Sequence, residues 1–284
     1  MSKNYVLFAA IVLFIAAVVL APMHLVGSWR LTAVLLAVTG FIMIAGQAIA
    51  GSPFAALIGS LNTMSLSRTQ TVLWTILVCA SFITVAFVRL GDTGSLATAL
   101  DFAIPQTVLG LIGVSLTSAV ASSVVASSKA SKSPAAGEVT ASAANTETPM
   151  AHMSPRGTLF GYSDKSKASL SDIFDGDELA DAHTLDLGKV QMFFFTIVAA
   201  VLFLGDIYAQ LMKGVPTALP NLPSELVALM GMSHAGYLGN KLVNRTAERT
   251  SQTSTVVTPS VSDTSSTPVM VTTTPPAADQ KLTI

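Results

Sequence analysis

The stretch Val190–Met212 reads VQMFFFTIVAAVLFLGDIYAQLM and carries one charge, Asp206, in 23 residues. A helix rises about 1.5 Å per residue, so this run is long enough to cross roughly 30 Å of bilayer hydrocarbon. Five further runs have the same character: Tyr5–Ala21, Leu31–Ala50, Thr71–Leu90, Pro105–Ala126 and Pro223–Val243. In hydrocarbon every backbone N–H and C=O must be satisfied within its own segment, so each run reads as a helix. The expected fold is an all-α polytopic membrane bundle of about six spans.

Composition points the same way. Mean hydropathy is +0.63; 51% of residues are apolar and 11% charged, against about a quarter charged in soluble domains. The single cysteine, Cys79, lies inside an apolar run, which excludes an intramolecular disulfide. The first run follows Lys3 and ends Val19-Leu20-Ala21, so two readings stand for it, a span or a cleaved signal peptide.

Lys and Arg set the expected orientation. With the N-terminus in the cytoplasm, Lys3, Arg68, Lys129, Lys132, Arg156, Lys165, Lys167, Lys189, Lys241, Arg245, Arg249 and Lys281 fall inside. Only Arg30, Arg89 and Lys213 fall outside, the bias that cytoplasmic loops carry. Trp29 and Tyr208 are then expected near the outer interface, Tyr5 and Trp74 near the inner one.

The chain divides into a leading transmembrane hairpin over 5–50, a hairpin over 65–127, a cytoplasmic loop over 128–187, a second hairpin over 188–244 and a tail over 245–284. The loop opens as an Ala/Ser/Lys tract whose polarity predicts disorder. From Gly157 it becomes more specific, and Leu170, Ile173 and Phe174 have helical spacing suited to lying on the membrane or docking on the bundle. Asp175, Asp177, Glu178 and Asp181 lack the EF-hand spacing and read as a solvated turn. The Thr/Ser/Pro-rich tail is expected to be disordered.

The two later hairpins repeat each other. Gln70/Gln191, Thr75/Thr196, Ile76/Ile197, Phe82/Phe203 and Leu90/Leu211 share one offset. After a loop three residues shorter in the second copy, Pro105/Pro223, Leu111/Leu229, Gly113/Gly231, Ser115/Ser233 and Val125/Val243 share another. Each proline opens a returning helix, where its missing N–H costs nothing. The returning helices carry small residues four apart, Gly113, Thr117 and Ala121 in one and Gly231, Ala235 and Gly239 in the other. That spacing lets helix backbones approach closely in lipid. Both hairpins start and end on one side, so they are parallel repeats. The fourth and sixth spans are expected to touch, with the third and fifth outside them.

At these residues the chain resembles a group of bacterial multi-pass inner-membrane proteins. The shared pattern is S-L-S-R-x-Q-x-x-L-W-T, here Ser65–Thr75, then Leu109–Ser115, then L-D-L-G-K-V-Q-M-F-F-F-T, here Leu185–Thr196, and a closing segment Ala228–Lys241. The match spans the middle two thirds of the chain. It implies the architecture and a bacterial inner-membrane address, and implies no activity.

Ionisable groups inside spans are functional candidates by default. His234 lies mid-way along the sixth run and Asp206 toward the outer end of the fifth, with Gln210 one turn on. The repeat aligns them with Leu116 and Val85, so the duplication itself does not demand them. Ser115 and His234 on the fourth and sixth spans invite comparison with rhomboid intramembrane proteases. The glycine that follows the serine in that family is Leu116 here, and Ser233 is the repeat twin of Ser115, so an enzyme is not the expected reading. The chain has no phosphate-binding glycine loop and no dinucleotide fingerprint. His24, His152, His183 and His234 stand apart, with no metal-ligand spacing. No cofactor is expected, and the dispersed basic residues argue against nucleic acid. Expected partners are the lipid bilayer, a homo-oligomer or a cytoplasmic protein at 157–187. Two functions follow: a membrane scaffold or accessory subunit acting through that loop, or a small channel or transporter.

Overall fold

The computed structural model describes residues 3–146 and 150–246. Over these the chain folds into helices α1 (Lys3–His24), α2 (Trp29–Ala50), α3 (Leu66–Thr93), α4 (Leu96–Leu100), α5 (Gln106–Ala130), α6 (Glu138–Thr146), α7 (Leu187–Lys213) and α8 (Ser224–Leu242). Short 3-10 turns cover Met150–His152, Lys165–Lys167 and Leu170–Ile173. Strand pairing among the described residues is confined to isolated bridges.

Five helices, α1, α2, α3, α5 and α7, are long and apolar enough to cross a membrane. α8, the sixth expected span, has 19 residues and is not among them. Glu225, His234, Asn240 and Lys241 make it more polar than the rest. The long helices expose apolar side chains outward, among them Phe8, Leu36, Leu109, Val120, Phe194 and Val201. A contiguous apolar exterior of this extent is unfavourable in water and suits a hydrocarbon surround.

Local chemistry sets the helix ends. Pro105 and Pro223 stand at the N-caps of α5 and α8, as the repeat predicts. Asp186 caps α7, its carboxylate accepting from Gly188 N at 2.9 Å and Lys189 N at 3.3 Å, which satisfies two of the orphan amides of the first turn. Gly94 closes α3 in the left-handed conformation at φ 66°, donating its N–H to Leu90 O, where a Cβ would be strained.

α3 packs on α5, α5 on α8, α8 on α7 and α7 on α3, so four helices close a ring. α1 and α2 pair with each other and lie beside α3. The expected contact of the fourth and sixth spans is present as α5 on α8. A Cβ added at Gly110 would lie 3.4 Å from Val227 Cγ1, and Ser122 Oγ lies 3.2 Å from Tyr237 OH. Both residue numbers rise together, so the two helices run parallel. The third and fifth spans also meet, contrary to expectation: Gln70 Nε2 donates to Thr196 Oγ1 at 2.6 Å, and Trp74 packs edge-on to Phe203 with ring centroids 6.2 Å apart.

Two further expectations are corrected. Trp74 is not an interfacial anchor. It is 1% exposed, packed in a core with Leu77, Val108, Leu111, Ala199 and Phe203, where its apolar ring area is buried and its indole N–H has no partner among the described residues. The small-residue stripes are not the packing faces within the chain. α5 buries Val108, Leu111, Ser115, Ser118 and Ser122, whereas Gly113 and Thr117 face outward. α8 buries Met230, Ser233, His234 and Tyr237, whereas Ala235 and Gly239 face outward. A Cβ at Gly113, Gly231 or Gly239 would meet nothing within 4 Å.

The two ends of the bundle differ. At one, the turns joining each repeated hairpin pair with each other: Leu219 N donates to Ala103 O at 3.0 Å, and Arg89 donates to the carbonyls of Ala99, Thr98, Asp101 and Pro216. At the other, residues 51–65 and 150–186 fold over the helix ends as a cap. Ile173 docks into a core with Ile58, Met64, Leu66, Met192 and Tyr237. Phe174 stacks edge-on against Phe193 at 5.1 Å, while Leu170 stays exposed. The Ala/Ser/Lys tract expected to remain unpacked supplies the last turn of α5 and the short helix α6. Residues 247–284, where most of the expected disordered tail falls, lie outside the described residues.

Candidate functional site

The acidic turn read as solvated is the fastening of the cap. Glu178 is 2% exposed. One of its oxygens pairs with the buried Lys129 ammonium at the end of α5. The other accepts from Arg245 N at 2.8 Å and Thr246 N at 2.6 Å, just beyond α8. Asp177 divides its two oxygens between Lys189 at the start of α7 (2.7 Å) and Lys241 near the end of α8 (2.6 Å). Asp181 pairs with Arg245 at 2.8 Å. One turn of chain therefore ties together the ends of three helices, and Asp177, Glu178 and Asp181 each meet a Lys or Arg cation.

The electrostatics follow from that geometry. Burial alone would raise the Asp177 carboxyl, but the ammonium groups of Lys241 and Lys189 outweigh it and hold it well below the usual carboxylate range. Burial likewise opposes Glu178, and its bond to Lys129 with the two backbone N–H donors lowers it. Asp172 and Asp181 shift the other way. Burial dominates and raises both, although Asp172 accepts from Ser169 N at 3.0 Å and Met64 N at 3.1 Å. The Met64 bond pins the 51–65 loop to the 150–186 segment, helped by Tyr162 N donating to Leu61 O at 2.9 Å. Burial and the neighbouring Asp172 and Asp175 charges push the Tyr162 phenol up to about 12.

Glycines permit the close approach. Gly157 has φ +59° and lies against the end of α5, where a Cβ would fall 2.3 Å from Lys129 O. At Gly176 a Cβ would fall 2.3 Å from Asp181 O. Neither separation is tolerable, so both positions require glycine.

A second polar region runs inside the ring. Ser115, Ser118, Ser233 and His234 are all buried. Their side-chain polar atoms, both ring nitrogens of His234 included, have no hydrogen-bond partner among the described residues. Ser115 Oγ and His234 thus make no nucleophile–base bond with each other. The register from Gly110 beside Val227 to Ser122 beside Tyr237 places Ser118 at about the level of His234. Gln70 and Thr196, one residue from each repeat, form a separate buried polar pair between α3 and α7, while their twins Gln191 and Thr75 face outward. Asp206 is exposed and accepts from Gln210 Nε2 at 3.1 Å, apart from the seam.

Among the described residues no group of three His, Cys, Asp or Glu side chains is placed to hold a metal ion. The cap residues escape a sequence reading because the pairing is long-range: Lys129, Lys189, Lys241 and Arg245 register only as orientation signals. The available clue is stoichiometric, a dense acidic turn in a loop whose flanking helix ends are all basic. Comparison with protein-family models, curated proteins and solved structures gives no match to this chain.

Proposed function

We propose that the chain is a six-span protein of the bacterial inner membrane, with both ends and the cap on the cytoplasmic side. In this reading it serves as a non-enzymatic scaffold or accessory subunit whose cap meets a cytoplasmic protein. The orientation is supported by charge: Arg68, Lys129, Arg156, Lys165, Lys167, Lys189, Lys241 and Arg245 belong to the capped end, and Arg30, Arg89 and Lys213 to the other. α8, at about 28 Å from its length, spans the hydrocarbon within the ring, where His234 and the serines are shielded from lipid.

The observation that carries the scaffold reading is the fastening itself. Three helix ends hold the cap through ion pairs, that of Lys129 with Glu178 fully buried, so its outer face, with Lys165, Lys167, Leu170 and Leu185 exposed, is a docked platform and not a tether. Affinity purification from membranes tests it, comparing the wild type with Leu170→Ser/Leu185→Ser, which leaves the ion pairs intact. Loss of a co-purifying protein from the double variant is expected; an unchanged partner list rejects the reading.

The polar seam favours a second reading, a passive channel for a small solute or ion. Buried polar atoms without partners cost free energy in an apolar surround, and His234 is the most polar of them. Solute flux into liposomes that His234→Ala and Ser233→Ala leave unaltered rejects this alternative.

A further inference from the structure

Beside the ion-paired turn lies a cleft of about 380 Å³, bordered by Arg68, Arg156, Lys189, Lys241 and Asp177, with Ser122, Ser123, Ser127 and Tyr237 among its neutral walls. Four cationic side chains face one carboxylate, and that carboxylate is already shared between Lys189 and Lys241. The cleft is therefore short of negative charge. It adjoins a groove of about 540 Å³ between α3 and α5, walled by Val72, Leu116, Ala119, Val120 and Val124. Arg68, Ser123 and Ser127 line both and form the sill between them. Val120 and Val124 are 65% and 64% exposed on this outer face.

We propose that cleft and groove together form a binding site for one anionic phospholipid. The phosphate lies in the cationic cleft beside Arg68 and Arg156, with the serine hydroxyls as additional donors, and an acyl chain lies along Val120 and Val124. Guanidinium groups suit phosphate oxygens because they present paired N–H donors. The apolar groove selects a lipid over a soluble anion, because a free phosphate gains nothing from it. Occupancy supplies the charge that the cleft lacks and makes the cap sensitive to the composition of its own leaflet. The site rests on the bilayer placement proposed above, which has its own test.

Native mass spectrometry of the full chain in detergent, with phosphatidylglycerol or phosphatidylcholine added at equal concentration, tests the site. The wild type is expected to retain phosphatidylglycerol preferentially. Arg68→Gln/Arg156→Gln is expected to lower that retention about thirtyfold, near the value for two basic contacts with an anionic lipid, and Ala119→Phe to lower it by filling the groove. Arg30→Gln, at the opposite end, should change nothing. Equal retention of the two lipids by the wild type overturns the site and leaves the membrane placement untouched. Displacement of phosphatidylglycerol by inorganic phosphate, or unchanged retention by the double arginine variant, also overturns it.

Discussion

Lys129 and Glu178 show how much rests on single side chains. Their side chains are 5% and 3% exposed. Removing one partner of a buried pair strands the other charge, at a cost of about 3–5 kcal/mol, whereas replacing both by apolar groups is often neutral. Glu178→Gln is therefore expected to free the cap, read as rapid proteolysis within 150–186, and Lys129→Met/Glu178→Gln to restore part of the resistance, since the amide oxygen can still accept from Arg245 N and Thr246 N. Equal resistance of Glu178→Gln and wild type would contradict the assignment. Acid should act similarly. Asp177 and Glu178 have lowered pKa values in the folded cap, so their stabilisation is complete above the unfolded carboxylate value of about 4 and is lost as pH falls toward the lowered ones. Asp172 and Asp181, raised mainly by burial, act oppositely just above that value, where their ionisation in the folded state costs stability. The thermal midpoint of the solubilised protein is expected to drop below about pH 4; a midpoint flat to pH 2 would contradict the ion-pair account.

At the scale of elements, the helices were legible because hydrophobic runs are long and local. The repeat also anticipated the prolines at the starts of α5 and α8 and the α5–α8 contact. The facing surfaces were not legible. Gly113 and Gly231 have the spacing of a close-packing motif, yet the ring turns Ser115, Ser118 and Ser233 inward, because four mutually packed helices fix which arc faces the centre. Spacing along one helix carries no information about that rotation. In a Cys79→Ala background, Gly110→Cys/Val227→Cys is expected to form an intrachain disulfide on oxidation, since the neighbouring atoms lie 3.4 Å apart. Gly113→Cys/Gly231→Cys is expected not to do so within one chain; the reverse result would mean the helices are rotated. Gly157→Ala should loosen the cap from α5 because of the clash with Lys129 O, checked by the same proteolysis.

Across the whole molecule, the sequence divides cleanly into oily and polar parts, and that division made the bundle readable. It also hid the cap. Residues 157–187 have polar composition, and polarity predicts exposure only when the charges lack partners. Here the partners lie at or just beyond the ends of helices up to 68 positions away, as Glu178 and Thr246 illustrate, and no local rule brings them together. For the proposed topology, an impermeant maleimide on intact cells is expected to label Ser95→Cys and to reach Ser163→Cys only after permeabilisation. The most direct measurement of the fastened cap is hydrogen exchange on the full chain in micelles. The amides of Thr158, Ala180, Arg245 and Thr246, which donate across the junction of cap and bundle to Lys129 O, Thr246 Oγ1 and the Glu178 carboxylate, are expected to be protected like those of the helices beside them. Exchange of these four at the rate of an unfolded chain would show that the cap is not held on the bundle.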